Sequence, residues 1–242
     1  MKKRILTFSA IALAMSLAAC SGENEAEKET LMPGVEENGI VQTEKEDDKN
    51  EVEKPFATIT PENFFPKDGT SQSFIEKEEN EKGLTIQYFR PYSKATVISR
   101  MDTNDAIIET IYRIDEEEGI IYRLHEASVK KEDPLPSLDE VRSFKEGTVV
   151  FQFPLHKGDE VGGLGEVIAV HETLKTPLQT FDNVVITEST IVSESDDDAE
   201  TVSTRYFAEG YGLIAQTDRL VKGEETVKVN EWVIDEMTIS KD

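Results

Sequence analysis

The chain has 242 residues, and its 50 acidic residues against 26 basic ones give a net charge of −24 at pH 7. A surface this acidic lacks the basic patches that nucleic acid binding requires, and it opposes peripheral docking on anionic lipid headgroups. The single cysteine, Cys20, excludes an internal disulfide, so the folded part must be stabilised by its own core.

Residues 1–19 have the three parts of a secretory signal peptide. Lys2-Lys3-Arg4 is followed by an apolar run over residues 5–17 and by small residues before Cys20. The run is shorter than the ~20 residues that a helix needs to cross a bilayer. The Leu-Ala-Ala-Cys sequence at 17–20 resembles the lipobox of bacterial lipoproteins. That resemblance implies cleavage before Cys20, a diacylglyceryl thioether on its sulfur, and a lipid-anchored protein at the cell membrane, facing outside the cytoplasm.

Residues 20–55 are predicted to be the lipidated cysteine and a disordered acidic tether. Between residues 21 and 54 the segment carries twelve acidic residues against four lysines and has no aromatic residue. Such a composition buries too little apolar surface to offset the chain entropy lost on folding. As a flexible chain it has a root-mean-square reach of about 30 Å.

Residues 56–242 are predicted to form one β-rich extracytoplasmic domain. Apolar and polar residues alternate over short runs such as 84–89, 108–114 and 149–153, with Gly, Asp, Asn and Pro between them. This period of two is typical of half-buried antiparallel strands. We expect an all-β fold, as a curved sheet, a sandwich or an open barrel, with at most one or two short helices.

Two helix signals and one short repeat are visible. Ser137-Leu138-Asp139-Glu140 favours a short capped helix, and Thr60-Pro61-Glu62-Asn63 favours a further helical turn. The sequence at 65–69 (Phe-Pro-Lys-Asp-Gly) recurs loosely at 153–158, where an aromatic, a proline and a glycine again precede a strand. Two related β-halves are therefore an alternative to a single undivided domain.

The C-terminal half resembles a group of secreted all-β bacterial proteins, many of them lipoproteins, for which no activity is established. The matching stretches are Phe-Pro-Leu-x-x-Gly at 153–158, Lys-Thr-Pro with Thr-Phe-Asp-Asn-Val at 175–184, and Arg-Tyr-Phe-Ala-Glu-Gly-Tyr-Gly-Leu at 205–213. The chain departs from the group's pattern at Gln179, where glycine is usual, and at Glu160-Val161, where an aromatic is usual. The resemblance implies the fold and adds no catalytic residue.

No catalytic set, cofactor motif or metal site is predicted. His125, His156 and His171 lack the spacing of a helical zinc pair, and no Gly-x-Ser-x-Gly elbow occurs. The glycine-rich stretch at 162–165 is expected to be a hairpin turn. The acidic run at 193–198 is expected to be a solvated tip, with weak calcium binding as the less favoured alternative.

The last apolar run, residues 227–239, carries the only tryptophan. Strict alternation places Trp232 and Ile234 on its more polar face, opposite Val229, Val233 and Met237. These two residues either cover a minor core or form a partly exposed aromatic platform, since tryptophan is enriched in binding sites. Trp232 and Ile234 are therefore the candidate ligand face.

Three functions are compatible with these features. The first is a non-enzymatic binding role at the bacterial cell surface, with a protein or small ligand as the partner. The second is a carrier or sensor that holds a hydrophobic molecule in a β-sheet groove, which an unfilled apolar pocket would favour. The third and least favoured is a wall-polymer hydrolase that uses a carboxylate pair.

Overall fold

Twelve antiparallel strands form one sheet that curls into a nearly closed barrel. The computed structural model describes residues 59–78, 81–103, 106–192, 199–223 and 225–240. The first six strands are β1 (Thr70–Glu76), β2 (Lys82–Phe89), β3 (Thr96–Thr103), β4 (Ile107–Asp115), β5 (Ile120–Val129) and β6 (Thr148–Gln152). The other six are β7 (Glu160–Val161), β8 (Gly165–Lys175), β9 (Thr180–Val192), β10 (Ala199–Ala208), β11 (Gly212–Lys222) and β12 (Glu225–Ile239).

The described residues include two short helices, α1 (Pro61–Phe64) and α2 (Leu138–Ser143), at the two predicted positions. The predicted all-β, antiparallel architecture is thus confirmed, and a nearly closed barrel replaces the sandwich among the alternatives.

The strand order divides the sheet into two six-stranded meanders. Strands β1 to β6 follow one another as neighbours, strands β7 to β12 do the same, and β1 pairs with β12 to join the two halves. The related turns at 65–69 and 153–158 lead into β1 and β7, the first strand of each half. Gly69 and Gly158 both have positive φ, at 71° and 94°, a conformation that glycine adopts readily.

The seam of the barrel lies between β6 and β7, the two edges of the sheet. Gly162, directly after β7, lies so close to the carbonyl oxygen of Val149 in β6 that a Cβ has no room there. Both edge strands are short, which limits the backbone available for pairing with another chain. The barrel is therefore closed by close packing at the seam and by hydrogen bonds everywhere else in the described sheet.

Helix α1 closes one end of the barrel with aromatic side chains. Phe64 is 1% exposed, and its ring lies 4.7 Å from that of Phe151 in β6 and 5.6 Å from that of Phe207 in β10. Phe65 contacts the opposite wall, with its ring 4.9 Å from that of Tyr112 in β4. Since these contacts reach several walls at once, the helix lies across the barrel rather than beside it.

Helix α2 covers a small second core on the outer face of β3, β4 and β5. Ser137 and Glu140 form the predicted capping box, each side chain bonding the backbone N–H of the other residue. Val141 packs on Ile98 and Ile111, and both of these isoleucines are fully buried. This cover leaves the inner faces of the same strands free to line the barrel interior.

Candidate functional site

A cavity of about 560 Å³ lies inside the barrel. Its inner part is aromatic, lined by Phe64, Phe151, Phe207, Tyr88 and Tyr112. It extends towards the end of the barrel opposite α1, where the lining also includes charged side chains. This volume falls in the range of roughly 300–1,000 Å³ that is typical of small-molecule sites.

One wall of the cavity is aliphatic because three strands align their inner residues. Met101 in β3 pairs with Ile86 in β2 and with Ile108 in β4. All three line the cavity, and Met101 and Ile108 are only partly buried. The wall therefore presents apolar surface that the side chains of the described residues leave partly uncovered.

Four neighbouring strands place a row of larger, mostly polar side chains on another wall. Arg205 in β10 pairs with Gln216 in β11, Gln216 pairs with Trp232 in β12, and Trp232 pairs with Glu76 in β1. All four line the cavity. We call these residues the mouth row, because they lie on the side of the cavity away from α1.

Trp232 reaches along the mouth row towards β2. A Cβ at Gly83 would lie 3.2 Å from its Nε1 atom, so the glycine provides the space for the indole. Trp232 is partly buried and packs against the main core, whereas Ile234 is fully buried. The structure thus separates the two predicted ligand-face residues, with Trp232 lining the cavity and Ile234 lying in the core.

The expected strict alternation along β12 is interrupted at two places, at Val227 against β11 and at Asp235 against β1. Phe74 in β1 pairs with Ile234, but the adjacent Ser73 pairs with Glu236, which leaves Asp235 as an extra residue. This β-bulge exchanges the two faces. Met237, expected opposite Ile234, consequently pairs with the fully buried Gln72. The face of Trp232 that looked more polar in the sequence is the inward face.

The charges beside the mouth row differ in how well they are paired. Asp218 accepts hydrogen bonds from Ser203 Oγ at 2.6 Å and from Gln216 Nε2 at 2.8 Å, so each of its oxygens has a protein donor. Arg205 donates to Ser189 Oγ at 3.1 Å. Burial lowers the pKa of Arg205, and the nearby charge of Asp218 opposes that shift.

An ion pair in the cavity lining lies near the seam between β6 and β7. Arg123 Nη1 is 3.2 Å from Glu126 Oε2, and these side chains are 29% and 49% exposed, so the cavity reaches solvent here. Deeper in the barrel, burial raises the pKa of Tyr112, and Glu126 adds to that shift. The cavity therefore combines an apolar inner part with a charged, solvated opening.

The three histidines lie on different elements of the fold. His125 stacks on Phe144 of the outer core, with ring centroids 4.5 Å apart, and β5 does not pair with the β8 strand of His171. His156 lies 3.5 Å from Asp159. Within the described ranges no group of three metal-ligating side chains occurs. Cys20 and the acidic run at 193–198 lie outside the described residues.

Sequence reasoning missed Arg205, Gln216 and Asp218 as site residues. One signal for Arg205 was present, since the period of two places it on the same strand face as Phe207, which we expected to be in a strand. A charged residue two positions from a buried aromatic indicates a polar group at the edge of an interior. None of the helices in the described part of the chain is long and apolar enough to span a membrane.

No family model matches the chain, and no curated protein matches it at a significant level. The motif resemblance at 153–213 therefore stays a prediction. Among solved structures, one similar chain is a protein from Bacteroides fragilis described as exported, with a YmcC-like fold. The two are 12% identical over 72% of this chain and 98% of that one, with a TM-score of 0.45. Another, from Parabacteroides distasonis and described as a lipoprotein, is 12% identical over 73% and 99%, with a TM-score of 0.40.

Proposed function

We propose that this protein is a lipid-anchored, extracytoplasmic carrier or sensor that holds a hydrophobic molecule inside its barrel. The observation that carries this proposal is the 560 Å³ cavity, with its aromatic inner part and aliphatic wall. Exposed apolar surface of this kind is removed from water when an apolar ligand enters, at roughly 25 cal/mol per Å². The proposed role requires no chemistry on the ligand.

The lipid anchor is the second part of the proposal and rests on the lipobox at 17–20. A domain attached through Cys20 and a tether of about 30 Å reach stays near the membrane without docking on it. The net charge of −24 supports this separation of the domain from the membrane surface, because anionic headgroups repel a negatively charged domain. A carrier in that position has access to lipids and to molecules that diffuse through the envelope.

Binding of a neutral apolar fluorophore tests the cavity directly. The full-length chain with Cys20→Ser is titrated with N-phenyl-1-naphthylamine, and energy transfer from Trp232, which lines the cavity, reports occupancy. We expect saturable binding. The Met101→Phe, Ile108→Phe double variant should weaken binding about tenfold or more, because the added rings fill the aliphatic wall.

The matched control carries the same substitution at two exposed valines, Val149→Phe and Val229→Phe, which are each 39% exposed. It should bind the fluorophore like the parent chain. Equal binding by the cavity-filled and parent chains, with unchanged thermal unfolding, would show that the fluorophore binds elsewhere and would overturn the proposed function.

A further inference from the structure

Of the two arginines that line the cavity, Arg205 is the one whose charge the described residues satisfy less. A guanidinium has five N–H donors, and the hydrogen bond recorded for this one goes to Ser189 Oγ. Among the described residues no carboxylate lies within 4.0 Å of it, whereas the cavity's other arginine, Arg123, is paired with Glu126. A partly buried cation without an ion-pair partner is costly, and an anion that binds it recovers part of that cost.

Asp218 does not fill this role. Its two oxygens already accept hydrogen bonds from the side chains of Ser203 in the neighbouring β10 and of Gln216 in its own strand. The charge of Asp218 makes the local electrostatic potential more negative, but Asp218 accepts no recorded hydrogen bond from Arg205. The remaining donors are left for a molecule inside the cavity, which Arg205 lines.

We infer that the ligand is a single-chain amphiphile with a carboxylate head, which Arg205 binds while the tail lies in the aromatic part of the cavity. This inference rests on the proposed carrier function and adds the class of ligand. A planar guanidinium matches a carboxylate in a two-pronged arrangement. The volume has room for on the order of 20 non-hydrogen atoms, at roughly 30 Å³ each, which suits one acyl chain.

A head group with a single negative charge fits the surroundings better than a doubly charged one. Glu76 and Asp218 also line the cavity, and each repels an anion held at the mouth row. Arg205 can pair directly with one negative charge of a ligand, whereas a second negative charge would face Glu76 and Asp218 with no further cation in the mouth row beside it. A phosphate monoester is therefore a poorer ligand than a carboxylate.

Head-group preference is measured by displacement of N-phenyl-1-naphthylamine from the full-length Cys20→Ser chain. Dodecanoate and dodecanol have the same tail and differ in the head. We expect dodecanoate to bind about tenfold or more tightly, as a charge-assisted hydrogen bond contributes. This comparison uses the parent chain and does not depend on the folding of a variant.

Variants then assign the preference to Arg205. Arg205→Gln should reduce affinity for dodecanoate to that for dodecanol, and Arg205→Lys should keep part of the difference because it keeps the charge. Arg219→Gln is the control, since it removes the same charge from the outer pair with Glu188, 3.0 Å away, and should keep the full preference.

The outcomes separate the two proposals. Equal affinity for the two probes in the parent chain, or a preference that survives Arg205→Gln, overturns the carboxylate inference and leaves the carrier function standing. Failure of the fluorophore and of both probes to bind overturns the carrier function and the inference together.

Discussion

Tyr88 shows how a single residue depends on a close backbone approach. It is 3% exposed, and a Cβ at Gly212 would lie 3.2 Å from its hydroxyl oxygen. Gly212 also has a φ of 65°, so both its conformation and its lack of a side chain are used in the turn after β10. Burial raises the pKa of Tyr88, a nearby Tyr112 adds to the shift, and the backbone of Leu213 opposes it.

The raised pKa values of Tyr88 and Tyr112 predict that the protein becomes less stable at alkaline pH. A tyrosine whose pKa is higher in the folded state than in the unfolded chain stabilises the fold fully below about pH 10. That contribution is lost as the pH rises above the unfolded value, because only the unfolded chain then ionises. Urea unfolding from about pH 8 to pH 11 should show this decline, and Tyr88→Phe should make it smaller.

Tyrosinate absorbance provides an independent check on the same residues. Tyr88 and Tyr112 should ionise only together with unfolding, because burial raises the pKa of both. Full ionisation of all tyrosines in a chain that keeps its β-type circular dichroism would contradict the prediction.

At the scale of elements, the four-residue helix α1 has a large role for its length. Few intrahelical hydrogen bonds stabilise such a short helix, so its position depends on the packing of Phe64 and Phe65 between the barrel walls. Arg90 fastens the segment further, since its backbone N–H bonds Asp68 and its Nη2 bonds the carbonyl oxygen of Phe65. The closed end of the cavity is therefore a packed aromatic cluster.

Phe64→Ala should destabilise the protein by about 3–5 kcal/mol, the usual cost of removing a fully buried aromatic ring. Chemical denaturation measures this loss. The control is Leu138→Ala in α2, where the side chain is 37% exposed and the expected cost is well below 1 kcal/mol. Similar losses in the two variants would show that α1 does not close the barrel.

At the scale of the whole molecule, we propose a membrane attachment joined to the cavity-bearing domain. The attachment is predicted from residues 17–20, and we expect the acidic composition to keep the domain from binding the same surface. If residues 20–55 form the predicted tether, their length sets how far the domain can move from the membrane.

Cys20→Ser tests the attachment. We expect the parent protein to partition into the detergent phase and to incorporate a fatty-acid analogue, and the variant to appear in the soluble or secreted fraction or to remain an uncleaved precursor. A parent protein that stays membrane-bound without incorporating the analogue would show that the N-terminal segment itself is the anchor.

Local sequence patterns predicted both short helices and most of the strands, but not β1, β3 and β7. Alternation of apolar and polar residues identifies a strand because successive side chains point to opposite faces. The capping box at 137–140 identifies a helix start because its hydrogen bonds are made within four residues. The turns at 65–69 and 153–158, which precede β1 and β7, are likewise defined by residues close together in sequence.

The tertiary structure alone decided which face of each strand is the interior and which residues share it. Glu76, Gln216, Trp232 and Arg205 lie on four strands, and only the register of those strands brings them into one row. The bulge at Asp235 exchanges the faces of β12, a change that no pattern of period two contains. The sequence by itself determined most of the strands, the short helices and the predicted anchor. The cavity depended on the closure of the barrel, since an enclosed volume arises from contacts between residues that are distant along the chain.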